Sequence, residues 1–152
     1  MTGFISPLMG EKSCQNVKMT LALDSRSLEY RLSLIPAAGR GLFTRVKFKK
    51  GQYIGEYLGD LLDRTRALQK SYLSKQTGAV YLFTRDKSTI IDAEHYGSLA
   101  RFANHKVQRE CNAEFQIRFC SGNNRIGLFA VSVIEGGEEI YVDYGESLSI
   151  KM

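Results

Sequence analysis

Residues 101–105 read Arg101-Phe102-Ala103-Asn104-His105. Within this run stand a fixed cation, an aromatic ring, an amide that both donates and accepts, and an imidazole. Working outward, Ile91-Asp92-Ala93 and His95-Tyr96-Gly97 lie just upstream, and Arg125-Ile126-Gly127-Leu128-Phe129-Ala130 lies downstream. Further out are Gly39-Arg40-Gly41-Leu42-Phe43 and Glu56-Tyr57-Leu58-Gly59 on one side. Gly137-Glu138-Glu139-Ile140-Tyr141-Val142-Asp143-Tyr144 is on the other.

Between these motifs the chain reads as short strands joined by glycine turns. Val17 to Leu23 and Tyr30 to Ile35 alternate polar and apolar residues, as half-buried strands do. Pro36 ends the second, because proline has no N–H for a ladder. Gly39-Arg40-Gly41 predicts a tight turn, and Leu42-Phe43 opens the next strand. Lys49-Lys50-Gly51-Gln52 turns into Tyr53–Tyr57. Asp63 is a candidate N-cap for a helix through about Tyr72, with Leu61, Leu62, Leu68 and Tyr72 in partial helical period. Strands are expected at Ala79–Phe83, Thr89–Ala93, Cys111–Phe119, Arg125–Val131 and Ile140–Tyr144. Asn123-Asn124 is expected to turn one hairpin, since Asn tolerates left-handed backbone, and Gly136-Gly137 another. Many short strands with one or two short helices predict a mostly β fold.

The chain has 152 residues, one domain by length, and enough to bury a core without staples. Its net charge of +5 weakly suggests nucleic acid among its partners. Three cysteines, Cys14, Cys111 and Cys120, form no close pair, which argues against a disulfide framework and places the chain in a reducing compartment. Without a Cys-x-x-Cys, and with only His95 and His105, no metal site is expected. No membrane-spanning run and no signal peptide are read.

The ordered motifs resemble the SET domain, the protein-lysine methyltransferase family, from about Ala37 to Gly145. Arg-Phe-Ala-Asn-His with Arg-Ile-Gly-Leu-Phe-Ala is most similar to its Enhancer of zeste branch. The resemblance implies a fold of several small sheets with a C-terminal pseudo-knot. It divides the chain into an N-terminal extension (1–30) packing on the domain, the SET domain (31–146) with a variable helical insert at 61–78, and a short tail (147–152). It also implies S-adenosylmethionine as methyl donor, with S-adenosylhomocysteine as product, and a histone tail, by analogy with histone H3, as substrate. Nuclear chromatin is the implied location. The chain's brevity leaves open a viral or bacterial protein delivered to a host nucleus.

By the same resemblance Tyr144 is the catalytic tyrosine and Tyr57 lines its pocket. Tyr81 and Phe83 wall the lysine channel. Gly39, Arg40, Gly41, Leu42, Tyr96, Arg101, Phe102, Asn104 and His105 hold the cofactor. The chemistry suits these residue types. Displacing a sulfonium methyl by an amine needs alignment, a neutral amine and an electrostatically matched channel. An apolar channel lowers a lysine pKa, and tyrosines surround the cationic product while their oxygens accept weak C–H···O contacts. The competing reading is that most of the eight Tyr and eight Phe are core. Likewise Glu138 and Glu139, though adjacent carboxylates, read as a solvated hairpin with one structural ion pair, and Asp143 as structural.

The chain also departs from the family pattern. After Asn104-His105 the family usually has Ser, then Pro-Asn-Cys; here Lys106-Val107-Gln108-Arg109-Glu110 leads to Cys111. These changes motivate an alternative, a catalytically weak SET module that serves as a chromatin- or protein-binding scaffold. Val142 stands where many relatives hold Phe or Tyr, so di- or trimethylation is expected to be permitted. Many relatives carry a cysteine-rich zinc module after the last tyrosine, and Gly145–Met152 contains no cysteine. The tail, the first 30 residues, a second copy in a homodimer or a partner subunit is then expected to complete the lysine channel.

Overall fold

The computed structural model describes residues 26–77, 81–120 and 122–145. Ten strands run as β1 (Leu28–Leu32), β2 (Arg40–Thr44), β3 (Tyr53–Glu56), β4 (Gly59–Asp63), β5 (Leu82–Thr84), β6 (Thr89–Gly97), β7 (Asn104–His105), β8 (Ala113–Cys120), β9 (Asn123–Ala130) and β10 (Glu139–Val142). Helix α1 (Arg64–Thr77) lies between β4 and β5. The strands form three small sheets, ordered β1-β2-β10-β7, β3-β9-β8 and β4-β6-β5. The strand pattern expected at Val17–Leu23 lies outside the described residues, as do Ala79, Val80 and the tail from 146.

The core lies where the three sheets meet. Leu28, Leu42, Ile54, Ile91, Leu128 and Ile140, drawn from all three, are each less than 5% exposed and form one cluster. Burying such side chains is worth roughly 1.5–3 kcal/mol each against exposure. Leu28 opposes Thr44 at the start of β1, so that strand straddles the boundary expected at residue 30. The ladder stops at Leu32, because Ser33 donates its N–H across to the Gly39 carbonyl at 2.9 Å and closes a loop ahead of Pro36.

Two local expectations are corrected. Leu61 and Leu62 belong to β4, not to the helical insert; they oppose Ile91 and Ile90 on β6. Pairing with β6 overrides the partial helical period of this short stretch. Asp63 then ends the strand and caps α1, its Oδ1 accepting the Arg66 N–H at 2.9 Å. The hairpin turn likewise falls ahead of Asn123-Asn124, which open β9 opposite Cys120 and Phe119. Gly122 takes φ +81°, a conformation that costs glycine less than asparagine.

The last strand is enclosed. β10 pairs antiparallel with β2 on one side and parallel with β7 on the other, Tyr141 opposite Asn104 and Val142 opposite His105. The chain then wraps it. Lys106 donates its N–H to the Val142 carbonyl. Asn112 returns to give its amide to the Glu139 carbonyl at 2.8 Å and to accept the Tyr141 N–H at 2.9 Å. Residues 104–112 thus loop round β10 and fix the segment that ends at Tyr144. The unusual Lys106 fits this loop by resting its ammonium 4.0 Å from the centre of the Tyr141 ring.

Candidate active site

Where the first sheet meets the Arg101–His105 run there is a cavity of about 390 Å³, within the range of small-ligand sites. Ala37, Ala38, Gly39 and Arg40 form one rim and Ala100–Asn104 the floor. Tyr57, Tyr81, Phe115 and Tyr144 form an aromatic end. Six stretches far apart in sequence therefore converge here.

The aromatic end is held rigidly. Tyr57, which follows β3, is 3% exposed and packs its ring against Phe83 at 5.2 Å and Phe115 at 5.6 Å. Its hydroxyl donates to the Tyr81 carbonyl at 2.9 Å. Tyr144 donates its hydroxyl to the Ala103 carbonyl at 2.9 Å. Its backbone N–H is received by His105 Nδ1 at 3.0 Å, and the two rings stand 5.2 Å apart. Each phenol has thus committed its proton, so what remains of each oxygen is acceptor capacity. Burial, and secondarily the neighbouring Tyr81, push the Tyr144 hydroxyl up to about 12. Burial pushes Tyr57 up as well, with Tyr144 adding to it. Both are neutral phenols at physiological pH.

The cavity lining also carries two arginines. Arg101 donates Nη1 to the Ala93 carbonyl at 2.9 Å and lies 4.9 Å from the Phe102 ring centre. The Arg40 guanidinium sits 4.8 Å from the Tyr30 ring centre. Asn104 gives its amide to the Arg40 carbonyl at 3.0 Å and to Glu139 Oε1 at 3.2 Å, leaving Oδ1 as its remaining polar atom. Gly39 has φ +73° and no atom within 4 Å of where a Cβ would stand, so the backbone there is bare to an incoming group. Ala37, beside it, holds φ +63°, a position rare for a residue with a Cβ.

The remaining expected residues fall elsewhere. Leu42 and Val142 are fully buried, and Phe83 is 1% exposed beneath Tyr57; all three belong to the core rather than the cavity lining. Gly41 sits behind the rim, where a Cβ would stand 2.1 Å from Glu139 Oε1. Tyr96 on β6 is 69% exposed and is not brought to the cavity. His105 contributes through Tyr144 instead of lining the cavity. Its Nδ1 lone pair is taken by the Tyr144 N–H, with Asp143 Oδ1 at 3.7 Å.

Sequence reasoning misses Phe115 and Glu139. Phe115 shares the strand face of buried Ala113, which the period-two pattern of β8 makes legible. Glu139 is not part of a solvated ion pair. It is 2% exposed, and among the described residues its carboxylate accepts from the neutral donors of Ser33, Leu34, Asn104 and Tyr141. Glu138 does face solvent, and its Oε2 accepts the Glu135 N–H at 2.7 Å.

Two arginines, a bare glycine backbone and an aromatic tyrosine end fit a zwitterionic sulfonium cofactor beside an amine. Comparison with known proteins agrees. The SET domain family profile matches residues 39–145. The histone-lysine N-methyltransferase EZA1 of Arabidopsis thaliana is 32% identical over 139 residues, 91% of this chain and 16% of that protein. The histone-lysine N-methyltransferase MEDEA of the same plant is 35% identical over 131 residues, 86% of this chain and 18% of that protein. Among solved structures, Chaetomium thermophilum Polycomb Repressive Complex 2 bound to GSK126 superposes with TM-score 0.74 at 27% identity, covering 80% of this chain and 16% of that one. The structure of ctPRC2 in an autoinhibited conformation bound to S-adenosylmethionine gives TM-score 0.74 at 27% identity, over 80% of this chain and 15% of that one. The chain therefore spans less than a fifth of the length of each of these relatives.

Proposed function

Because the chain belongs to the SET domain family, we propose that it is an S-adenosylmethionine-dependent protein-lysine N-methyltransferase acting on a histone H3 tail in nuclear chromatin. The observation that carries this reading is the pair of neutral phenols, Tyr57 and Tyr144, each donating to a backbone carbonyl at one end of the cavity. S-adenosylmethionine, when bound, would supply a methyl group on a sulfonium centre, whose sulfur leaves as the neutral thioether of S-adenosylhomocysteine. The Gly39–Arg40 backbone, Arg101 and Asn104 would hold it, the guanidiniums being suited to a carboxylate. Tyr144 and Tyr57, their protons committed to backbone carbonyls, would offer acceptor oxygens to the polarised C–H bonds of a methyl in transfer. Tyr81 and Phe115 exclude water, so an entering lysine loses hydration and with it the preference for its protonated form. No residue is assigned to carry a proton; the amine sheds its own before entry.

Val142, two residues before Tyr144, packs in the core rather than lining the cavity, and it is smaller than the Phe or Tyr that many relatives hold at this place. We infer that more than one methyl is accommodated. Incubation with histone H3 peptides and excess S-adenosylmethionine, followed by mass spectrometry, is expected to give di- and trimethylated lysine. A monomethyl product alone at saturating cofactor contradicts that inference.

Both solved relatives are named as Polycomb Repressive Complex 2. We propose that a further polypeptide, either a second copy or a different subunit, completes the lysine channel of this chain. Sedimentation is expected to show association in the active species; a monomer with full activity removes this part of the reading.

A further inference from the structure

The loop Ser33–Gly39 precedes the segment that matches the family, apart from its last residue, yet it supplies one rim of the cavity through Ala37, Ala38 and Gly39. Its ends are joined by the Ser33 N–H to the Gly39 carbonyl, 2.9 Å, and its middle is tied by Ala38 N–H to Ile35 O, 3.2 Å. Inside it Ala37 holds φ +63°. A strained residue at a ligand rim persists only where its surroundings over-determine it. The strongest constraint comes from a distant strand. Glu139 Oε1 accepts the Ser33 hydroxyl at 2.6 Å, and Oε2 accepts the Leu34 N–H at 2.7 Å. The same two oxygens accept Asn104 Nδ2 and the Tyr141 hydroxyl.

We propose that Glu139 is a positioning residue for cofactor binding: its buried carboxylate clamps the Ser33–Gly39 loop and Asn104 together, so that both walls of the cavity are set by one group. The inference rests on the methyltransferase reading above. A carboxylate is needed in place of an amide because each of its ends faces an N–H that cannot reverse: Leu34 at one oxygen and Asn104, also held to the Arg40 carbonyl, at the other. A glutamine side chain in its place would turn an NH₂ toward one of them. Burial favours protonation of Glu139, but the hydrogen bonds from Ser33, Leu34, Tyr141 and Asn104 outweigh it and hold the carboxyl below its ordinary range. The clamp is therefore fully ionised at physiological pH.

The test is the dissociation constant of S-adenosylmethionine by calorimetry, with steady-state KM and kcat on the same proteins. Wild type is expected to bind. Ser33→Ala, which removes the charge-assisted bond to Glu139 and the acceptor of the Ile35 N–H at a half-buried site, is expected to raise Kd and cofactor KM by about tenfold and leave kcat at saturation nearly unchanged. Ser33→Thr keeps the hydroxyl and is expected to restore binding. Glu139→Gln is expected to weaken binding more than Ser33→Ala, and where it fails to fold Ser33→Ala decides. Wild-type affinity in a folded Ser33→Ala overturns the clamp alone. Absence of binding by the wild-type chain overturns the methyltransferase reading and the clamp with it.

Discussion

Replacing Tyr144 by Phe is expected to lower methyl transfer by about a hundred- to a thousandfold, the scale seen when one preorganised polar group is removed from an active site. The change deletes one oxygen and little else. The ring keeps its place beside His105, because the Tyr144 N–H to Nδ1 bond belongs to the backbone. Cofactor binding is expected to survive, since Arg101 and Asn104 keep their hydrogen bonds to Ala93, Arg40 and Glu139, none of which involves the Tyr144 hydroxyl. What is lost is the acceptor fixed by its bond to the Ala103 carbonyl. A pH profile gives a second check. With its hydroxyl pushed up to about 12, Tyr144 stays neutral through the ordinary phenol range near 10. Activity is then expected to rise with pH as the substrate amine deprotonates, with no descending limb from this tyrosine before about pH 12. A fall centred near pH 10 that disappears in Tyr144→Phe would contradict the assignment.

Arg125→Met is expected to carry the largest cost in stability. Arg125 is 1% exposed, and its Nε and Nη2 each meet a Glu56 oxygen at 2.6 Å. This fork ties β9 to the last residue of β3, directly before Tyr57. Breaking a buried pair from one side leaves the other charge stranded and costs about 3–5 kcal/mol. For a domain of this size that lowers Tm by roughly 10 °C or more. The pH dependence follows from Glu56. Burial already raises its pKa, and the Arg125 hydrogen bonds and charge oppose that rise. Without Arg125 the folded state favours the protonated carboxyl more strongly. A raised folded pKa contributes stability at low pH and loses it as pH rises through that pKa. The deficit in Arg125→Met is therefore expected to shrink on acidification and widen toward neutrality. Adding Glu56→Gln removes the stranded charge and is expected to recover part of the loss. Thermal melts across pH on the single and double variants check all three statements; equal Tm for wild type and Arg125→Met would contradict them.

Much of this is legible in the residues. Short alternating runs and glycine turns point to small sheets, and the motif order points to the family. Arg101–His105, Tyr57 and Tyr144 are visible because their chemistry is local to a motif. Other features are not, for physical reasons. Leu61 and Leu62 satisfy a weak helical period, and only the Ile90–Ile91 partners on β6 decide for a strand. Asn123 can turn a hairpin, but the neighbouring Gly122 does so at less cost. Phe83 and Val142 sit in motifs that reach the site, yet the pleat points them into the core, and a motif does not report which layer a side chain enters. Glu139 reads as half of a solvated pair because adjacent carboxylates usually face water. Its role depends on Ser33 and Leu34, more than a hundred residues away, and no local pattern encodes that contact.

Methyl transfer to a histone is tested most directly with labelled S-adenosylmethionine, purified core histones and the wild-type chain, resolved on a gel. Label is expected in the H3 band and is expected to be lost in Tyr144→Phe. Bound cofactor with no label in any histone, under conditions where a partner subunit is supplied, would contradict that expectation.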